Sequence, residues 1–231
     1  AARLAGYAAR RAGAGLLTYA VPARAHAIYA AEQPGAFVKS LDSAADLDDL
    51  LSDHRKNTIL IGPGFGVGPA CSTLVLRLLS TNRAVVLDAD ALTSFAADPA
   101  LLFEAIKSRA APTVLTPHEA EFRRLFAAKG SKLDRARAAA AEAGAVVLLK
   151  GADTVIAGPD GRAAVNVIDA PNLATGGSGD VLAGVIAGFL AQGLTPWHAA
   201  AAGAWLHAKA GAQTGGGLIA EDLADAISEY L

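Results

Sequence analysis

Asn172 to Gly193 reads NLATGGSGDVLAGVIAGFLAQG and holds the residues of this chain best suited to chemistry. A run of small residues, Thr175-Gly176-Gly177-Ser178-Gly179, leads into an apolar helix expected to open at Asp180. Backbone N–H groups at a helix start have no internal partner and carry the positive end of the macrodipole. Glycines ahead of them remove the Cβ atoms that would hold an anion off. Gly177, Ser178 and Gly179 are therefore a candidate cradle for a phosphate or an oxyanion. A carboxylate beside such a cradle makes no sense if the site only binds anions. It does if Asp180 takes a proton from a hydroxyl while the N–H groups hold the phosphoryl group under attack. The dipole is expected to keep Asp180 ionised. The structural alternative is that Ser178 or Asp180 simply caps a core helix.

Other groups could serve the same chemistry. Lys150-Gly151-Ala152-Asp153-Thr154 follows a buried strand, where a lysine beside a glycine can meet a phosphate and Thr154 can add a hydrogen bond. His118-Glu119-Ala120-Glu121 opens a helix after Pro117. Glu121 could steer a hydrated magnesium ion near nucleotide phosphates, because Mg²⁺ keeps several waters and few carboxylates. His118 alone reads as a helix-start cap, and first-turn glutamates also suit the dipole. Asp88 and Asp90 read as turn formers. His26, His54, His198 and His207 read as incidental, as do Trp197 and Trp205.

These groups need a frame. Helical patterns are predicted over 1–12, 23–31, 42–52, 69–80, 101–109, 133–143, 196–213 and 220–230, besides the glycine-led helix. In that helix Val181, Leu182, Val185, Ile186, Phe189 and Leu190 form a broad buried stripe. Gly184 and Gly188 leave a groove for a second backbone, and Gly193 is placed as a C-terminal cap. Strands are predicted over 16–21, 57–61, 84–87, 113–115 and 145–149. A hairpin over 154–157 and 163–167 turns at Gly158-Pro159-Asp160-Gly161. Strands alternating with helices imply an α/β fold, a mostly parallel sheet covered on both faces with one late antiparallel hairpin. Ligands in such sheets bind beyond the carboxyl ends of the strands, where Gly62–Gly66, Asp88, Asp90, His118, Glu121, Lys150 and Gly151 all fall.

Composition narrows the function. With 231 residues, 53% of them hydrophobic, the chain has ample material for a core. A net charge of −2 without a Lys/Arg run argues against nucleic acid and against an acidic membrane surface. No apolar run reaches the roughly 18 residues of a membrane span. One cysteine, Cys71, excludes an intrachain disulfide framework, suits a reducing compartment and reads as core filling. The chain starts at Ala1 without any methionine, which reads as a processed, cloned or incompletely recorded form with no signal-peptide pattern.

Taken together, Gly62-Pro63-Gly64-Phe65-Gly66, Leu87-Asp88-Ala89-Asp90-Ala91-Leu92, Thr116 to Glu121, Lys150 to Thr154 and Gly177-Ser178-Gly179-Asp180 resemble the NAD(P)H-hydrate dehydratases. These are nucleotide-dependent repair enzymes of the ribokinase-like superfamily. The resemblance covers nearly the whole chain in the right order; the G-S-G-D element alone fits any ribokinase-like kinase. It implies a ribokinase-like three-layer α/β/α sandwich, as a single domain over 1–231. The implied reaction restores NADH and NADPH from their hydrates. A phosphoryl group moves from ADP or ATP to the C6 hydroxyl, and phosphate is then eliminated. Asp180 would be the base and Gly177, Ser178 and Gly179 the phosphoryl cradle. Lys150, Gly151, Ala152, Asp153 and Thr154, with Gly179, would line the nucleotide site. Ala1, Gly64, Gly66, His118 and Asp180 would contact the hydrated dinucleotide, and Glu121 would serve Mg²⁺ through water. A cytoplasmic homotetramer is implied. Two departures stand out: relatives carry an N-terminal strand and glycine-rich turn ahead of the segment matching Ala1, and asparagine is more usual at Thr93. The competing resemblance is to a small-molecule kinase of the same superfamily, where asparagine is common in place of His118. A nucleotide-binding module that has lost the reaction is a third reading, opposed by the intact Asp180.

Overall fold

The computed structural model describes residues 1–231, the side chain of Glu32 excepted. Helix α1 (Ala2–Arg11) is followed by strand β1 (Thr18–Val21), helix α2 (His26–Glu32) and strand β2 (Phe37–Ser40). β1 and β2 pair in parallel as a small sheet of their own, with Thr18 opposite Phe37 and Val21 opposite Ser40. β2 is absent from the sequence reading, because this short, largely exposed strand shows no alternation of apolar and polar residues. Helix α3 (Ala44–Ser52) starts in a Ser43–Asp46 capping box.

The main sheet then takes its strands in chain order: β3 (Thr58–Ile61), β4 (Ala84–Leu87), β5 (Thr113–Leu115), β6 (Val146–Leu149), β7 (Val155–Ala157) and β8 (Ala163–Val165). The first four are parallel and the last two return antiparallel, as expected. The crossovers are α4 (Pro69–Leu79), then α5 (Asp90–Thr93) with α6 (Pro99–Lys107), then α7 (Glu119–Leu125) with α8 (Lys132–Ala143). Right-handed crossovers between successive neighbours all fall on one face of the sheet. The other face is left for α1 and the three closing helices, α9 (Ser178–Ala191), α10 (Pro196–Gln213) and α11 (Ala220–Ser228).

The two-residue period of the strands divides the core between the faces. Val85, Leu87, Val147 and Leu149 pack with α4, α6 and α8, whereas Val86, Leu148 and Val146 pack with α9, α10 and α11. This is the three-layer arrangement expected. The two sheets are separated by an open cleft of about 1580 Å³, lined among others by Leu17, Tyr19, Leu50, Ile59, Leu60 and Leu74. It is the larger of the chain's two described cavities, and the glycine cradle is not part of its lining.

α9 is the central helix of its layer. Every residue from Val181 to Leu190 is buried, so the helix is enclosed all round rather than along one stripe. It starts at Ser178, two residues before the expected Asp180, because Val181 N–H already bonds the Gly177 carbonyl at 3.1 Å. Its other end closes as a Schellman motif: Leu194 N–H reaches the Phe189 carbonyl at 3.1 Å and Gly193 N–H the Leu190 carbonyl at 3.0 Å, with Gly193 at φ 91°.

The groove at Gly184 and Gly188 is filled by α1. A Cβ on Gly184 would run into the backbone carbonyl of Ala5, and one on Gly188 would lie 2.6 Å from the Ala9 oxygen. Gly184→Ala should therefore lower stability by about 1–3 kcal/mol, the usual cost of overpacking, even though alanine favours helix. Gly215→Ala, where a Cβ meets open space, is the control and should leave the melting temperature unchanged. Equal melting of both variants would show that the α1–α9 contact yields.

Candidate active site

The parallel strands end together and deliver their following residues to one edge. The ladder runs one step past β4 and β5, with Asp88 N–H bonded to the Ile61 carbonyl at 3.2 Å and Thr116 N–H to the Leu87 carbonyl at 3.1 Å. Lys150 N–H bonds the Pro117 carbonyl at 2.9 Å. Asp88, Thr116–Glu121 and Lys150 thereby meet beneath the start of α9.

That helix start is the glycine run Gly177-Ser178-Gly179, with Gly177 at φ 93°. Ser178 is fastened by its hydroxyl, which donates to the Leu173 carbonyl at 2.7 Å. Among the described residues, the N–H groups of Gly179 and Asp180 donate to nothing in the protein. Asp180 does not cap its helix; no side chain caps α9. Its carboxyl is mostly buried, 18% exposed, with the Ala1 nitrogen 3.7 Å from Oδ2. Burial pushes its pKa up and the neighbouring Asp88 adds to that, while Lys150 opposes it. The dipole alone would favour ionisation, but here desolvation wins. Asp180 is thus a better proton acceptor than an ordinary surface aspartate.

Lys150 is drawn inward. Its Nζ lies 2.7 Å from Asp88 Oδ1 and 4.0 Å from Glu121 Oε2. It also stands 3.4 Å from where a Cβ of Gly179 would be, so the ammonium sits directly beside the cradle. Asp88, read from sequence as a turn former, is instead buried and is the partner that holds Lys150. The rest of that segment takes a different place. Gly151, Ala152 and Asp153 are exposed, and their turn is closed by Thr154, whose hydroxyl donates to the Gly151 carbonyl at 2.8 Å. Lys132, which the sequence reading omits, bonds Asp153 at 2.7 Å and borders Gly151.

His118 is the helix cap that its position suggests. Its Nδ1 accepts from the N–H groups of Ala120 and Glu121 at 3.1 and 3.3 Å, while Glu121 Oε2 accepts from the His118 N–H at 2.8 Å. With Nδ1 an acceptor, Nε2 carries the proton and faces Glu121 Oε1 at 3.3 Å. The ring stays half exposed and open to a ligand. Glu121 is nearly buried, with both oxygens engaged. No group of three or more His, Cys, Asp or Glu side chains among the described residues makes a metal cage.

The third wall is the loop after β3. A Cβ on Gly64 would lie 3.2 Å from the Ala1 Cβ, which brings Gly64, Ala1 and Asp180 together. Gly66 N–H is held by Asp90 Oδ2 at 2.8 Å, and Gly68 N–H by Ser94 Oγ at 3.1 Å. Between the two aspartates Ala89 has φ 49°, alone among the described non-glycine residues in being positive. That backbone costs on the order of 1–3 kcal/mol. It lets adjacent turns of chain aim Asp88 at Lys150 and Asp90 at Gly66.

His207 was set aside on sequence but belongs here. It is buried in α10, and its Nε2 lies 2.8 Å from the Ser178 carbonyl. The one signal available was its position in the buried stripe of that helix, three and seven residues beyond the buried Ala204 and Ala200.

Comparison with known proteins identifies the family. The sequence profile described as NAD(P)H-hydrate dehydratase matches residues 1–231. The bifunctional NAD(P)H-hydrate repair enzyme of Salinibacter ruber is 40% identical over 250 residues, covering 97% of this chain and 44% of that protein. The chain thus spans less than half the length of such bifunctional relatives. The ADP-dependent (S)-NAD(P)H-hydrate dehydratase of Neisseria meningitidis is 38% identical over 201 residues, 80% of this chain and 66% of that one. Among solved structures, the ADP/ATP-dependent NAD(P)H-hydrate dehydratase of Bacillus subtilis, co-crystallised with ATP/Mg²⁺ and soaked with CoA, superposes with a TM-score of 0.81 at 29% identity. That match covers 99% of this chain and 84% of the other. A basic side chain and two unpaired N–H groups set against a partly buried aspartate, on a ribokinase-like sheet and under a profile that spans every residue, place this chain in the NAD(P)H-hydrate dehydratase family.

Proposed function

We propose that this domain restores NADH and NADPH from their (S)-hydrates, with ADP as the preferred phosphoryl donor and ATP as the alternative. The observation that carries the reading is Asp180 itself. It is a half-desolvated carboxylate of raised basicity beside two unpaired N–H groups and the Lys150 ammonium. A hydroxyl seated there loses its proton to Asp180 as its oxygen attacks the terminal phosphorus of ADP. The P–O bond to the donor breaks and AMP leaves. Gly179 and Asp180 N–H groups and Lys150 balance the charge on the phosphoryl oxygens. The N1 lone pair then expels phosphate from C6 as the C6–O bond breaks, C5 gives up a proton to water, and the 5,6 double bond of the reduced nicotinamide is regenerated.

The remaining roles follow from position. Gly151 to Thr154, an exposed and self-closed turn, supports a nucleotide beyond Lys150, and Lys132 extends its basic border. Gly64, Gly66, Ala1 and the open ring of His118 support the dinucleotide. Asp88, Glu121 and Asp180 set three carboxylates against one ammonium, so a polyphosphate would enter with a cation. Mg²⁺ carried by the phosphates and reached by Glu121 through water fits this donor set, whereas a protein cage does not. Such an ion would neutralise charge developing on the phosphoryl oxygens. Cytoplasmic residence is supported by the nucleotide substrates, and a single buried cysteine, Cys71, suits a reducing compartment. No helix among the described residues is long and apolar enough to cross a membrane. Self-association, as a homotetramer, is supported by an exposed apolar patch of Val165 in β8, Val167 just beyond it and Trp205 of α10.

Three variants test this reading. Asp180→Asn should lower turnover of hydrated NADH with ADP by roughly 10²–10⁴-fold, the worth of a positioned base. The same variant should melt at or above the parent at neutral pH. The folded pKa is raised, so ionising Asp180 costs stability as pH rises through it, and the amide removes that cost. Full turnover in a normally melting variant would refute the assignment; a stable phosphate ester as product of the parent would favour the kinase reading.

ADP should raise the melting temperature of the parent, and Lys150→Ala should blunt that rise. An undiminished shift would move the nucleotide away from Lys150.

His118→Asn should keep the fold, since asparagine caps helices well, and should raise KM for hydrated NADH with kcat near parental. Unchanged kinetics would reduce His118 to its cap.

A further inference from the structure

The buried imidazole of His207 has no place in the reaction just described, yet it touches the cradle. Its Nε2 is 2.8 Å from the carbonyl oxygen of Ser178, the first residue of α9. A carbonyl only accepts, so this nitrogen must donate. Burial pushes the His207 pKa down to about 4, the Ser178 contact opposes this, and the Lys150 charge lowers it further. The ring is therefore neutral at pH 7 and is held as the Nε2–H tautomer.

That carbonyl shares one peptide group with the N–H of Gly179. The described residues contain no cis peptide bond, and a trans peptide is planar, so its C=O and N–H point in opposite directions. Fixing the Ser178 oxygen toward α10 fixes the Gly179 hydrogen away from it. That hydrogen is one of the two that find no acceptor in the protein. Donation into the carbonyl also polarises the amide and strengthens its N–H as a donor. Ser178 is tied at its hydroxyl as well, so the peptide has little freedom left to turn.

We propose that His207 is a positioning residue for phosphoryl transfer, holding the Ser178–Gly179 peptide so that the Gly179 N–H faces the transferring group. It touches neither substrate nor nucleotide and acts only through that peptide. The proposal rests on the reading of the cradle as a phosphoryl site, so its test includes a measurement that does not need turnover.

The parent is compared with His207→Leu, which removes the donor, and His207→Gln, whose amide nitrogen can stand in for Nε2. Turnover is followed on hydrated NADH with ADP. The Gly179 amide is followed by ¹H–¹⁵N spectroscopy at pH 7 during titration with inorganic phosphate. His207→Leu should lose roughly 10- to 100-fold in kcat with KM little changed, less than the 10²–10³ of deleting a donor outright. His207→Gln should recover most of it. The Gly179 amide of the parent should shift with phosphate, and that of His207→Leu should respond weakly or not at all. Parental kcat in His207→Leu, equal losses in both variants, or the same phosphate response in parent and His207→Leu would each overturn the proposal. If the parent fails to turn over hydrated NADH, the dehydratase reading falls and the Gly179 spectra alone decide the role of His207. Should His207→Leu not fold, the imidazole spectrum of the parent decides: an Nδ1-protonated ring at pH 7 cannot make this bond and overturns the proposal.

Discussion

The arrangement of this site depends on one buried ion pair, Lys150 Nζ against Asp88 Oδ1 at 2.7 Å. It reaches from the end of β6 to the end of β4, across β5 between them. Both charges are largely out of water, and such pairs seldom add net stability over an apolar contact. What the pair supplies is location. A lysine at a strand end would otherwise swing into solvent on four flexible carbons; Asp88 fixes its ammonium beside Gly179, with Glu121 behind it. The constraint passes through Ala89, whose left-handed backbone sends Asp88 and Asp90 to different partners. Through Asp90 and Ser94 the same short segment also holds the loop after β3. One pair of aspartates thus sets both the basic side of the cradle and the wall facing it.

Much of this was legible in the sequence, and the reasons are local. The alternation of short apolar strands with helical segments, and the turn residues of the hairpin, fix the sheet and its change of direction. The glycines of α9 announced both a close neighbour and a cap, and both are present. The cradle could be read because helix starts leave N–H groups free wherever they occur. β2 could not be read, since a short exposed strand has no buried face to impose a pattern. The inward course of Lys150 and the partner role of Asp88 depend on strands 62 residues apart in the chain. No window of sequence contains that contact. The raised basicity of Asp180 is hidden from the sequence for a related reason. The helix dipole is visible from position alone, but desolvation comes from packing by distant segments. His207 shows the same limit: a histidine among alanines looks incidental until the carbonyl opposite it is known.

The packing of α1 against α9 carries a further consequence, for the order in which the chain can fold. The main sheet adds each strand beside the one made just before it, so most of its pairing is available as synthesis proceeds. α1 is different. Ala5, Ala8, Ala9 and Ala12 are buried largely because α9 lies over them, and α9 is more than 160 residues further along. Helix α1 must therefore wait, its apolar face unpartnered by α9, until synthesis has passed Ala191. That face is lined with alanine rather than leucine or phenylalanine, which the close approach to Gly184 and Gly188 requires and which also leaves little adhesive surface during the wait. The small residues that let two backbones touch in the finished domain keep the waiting helix soluble in the growing one.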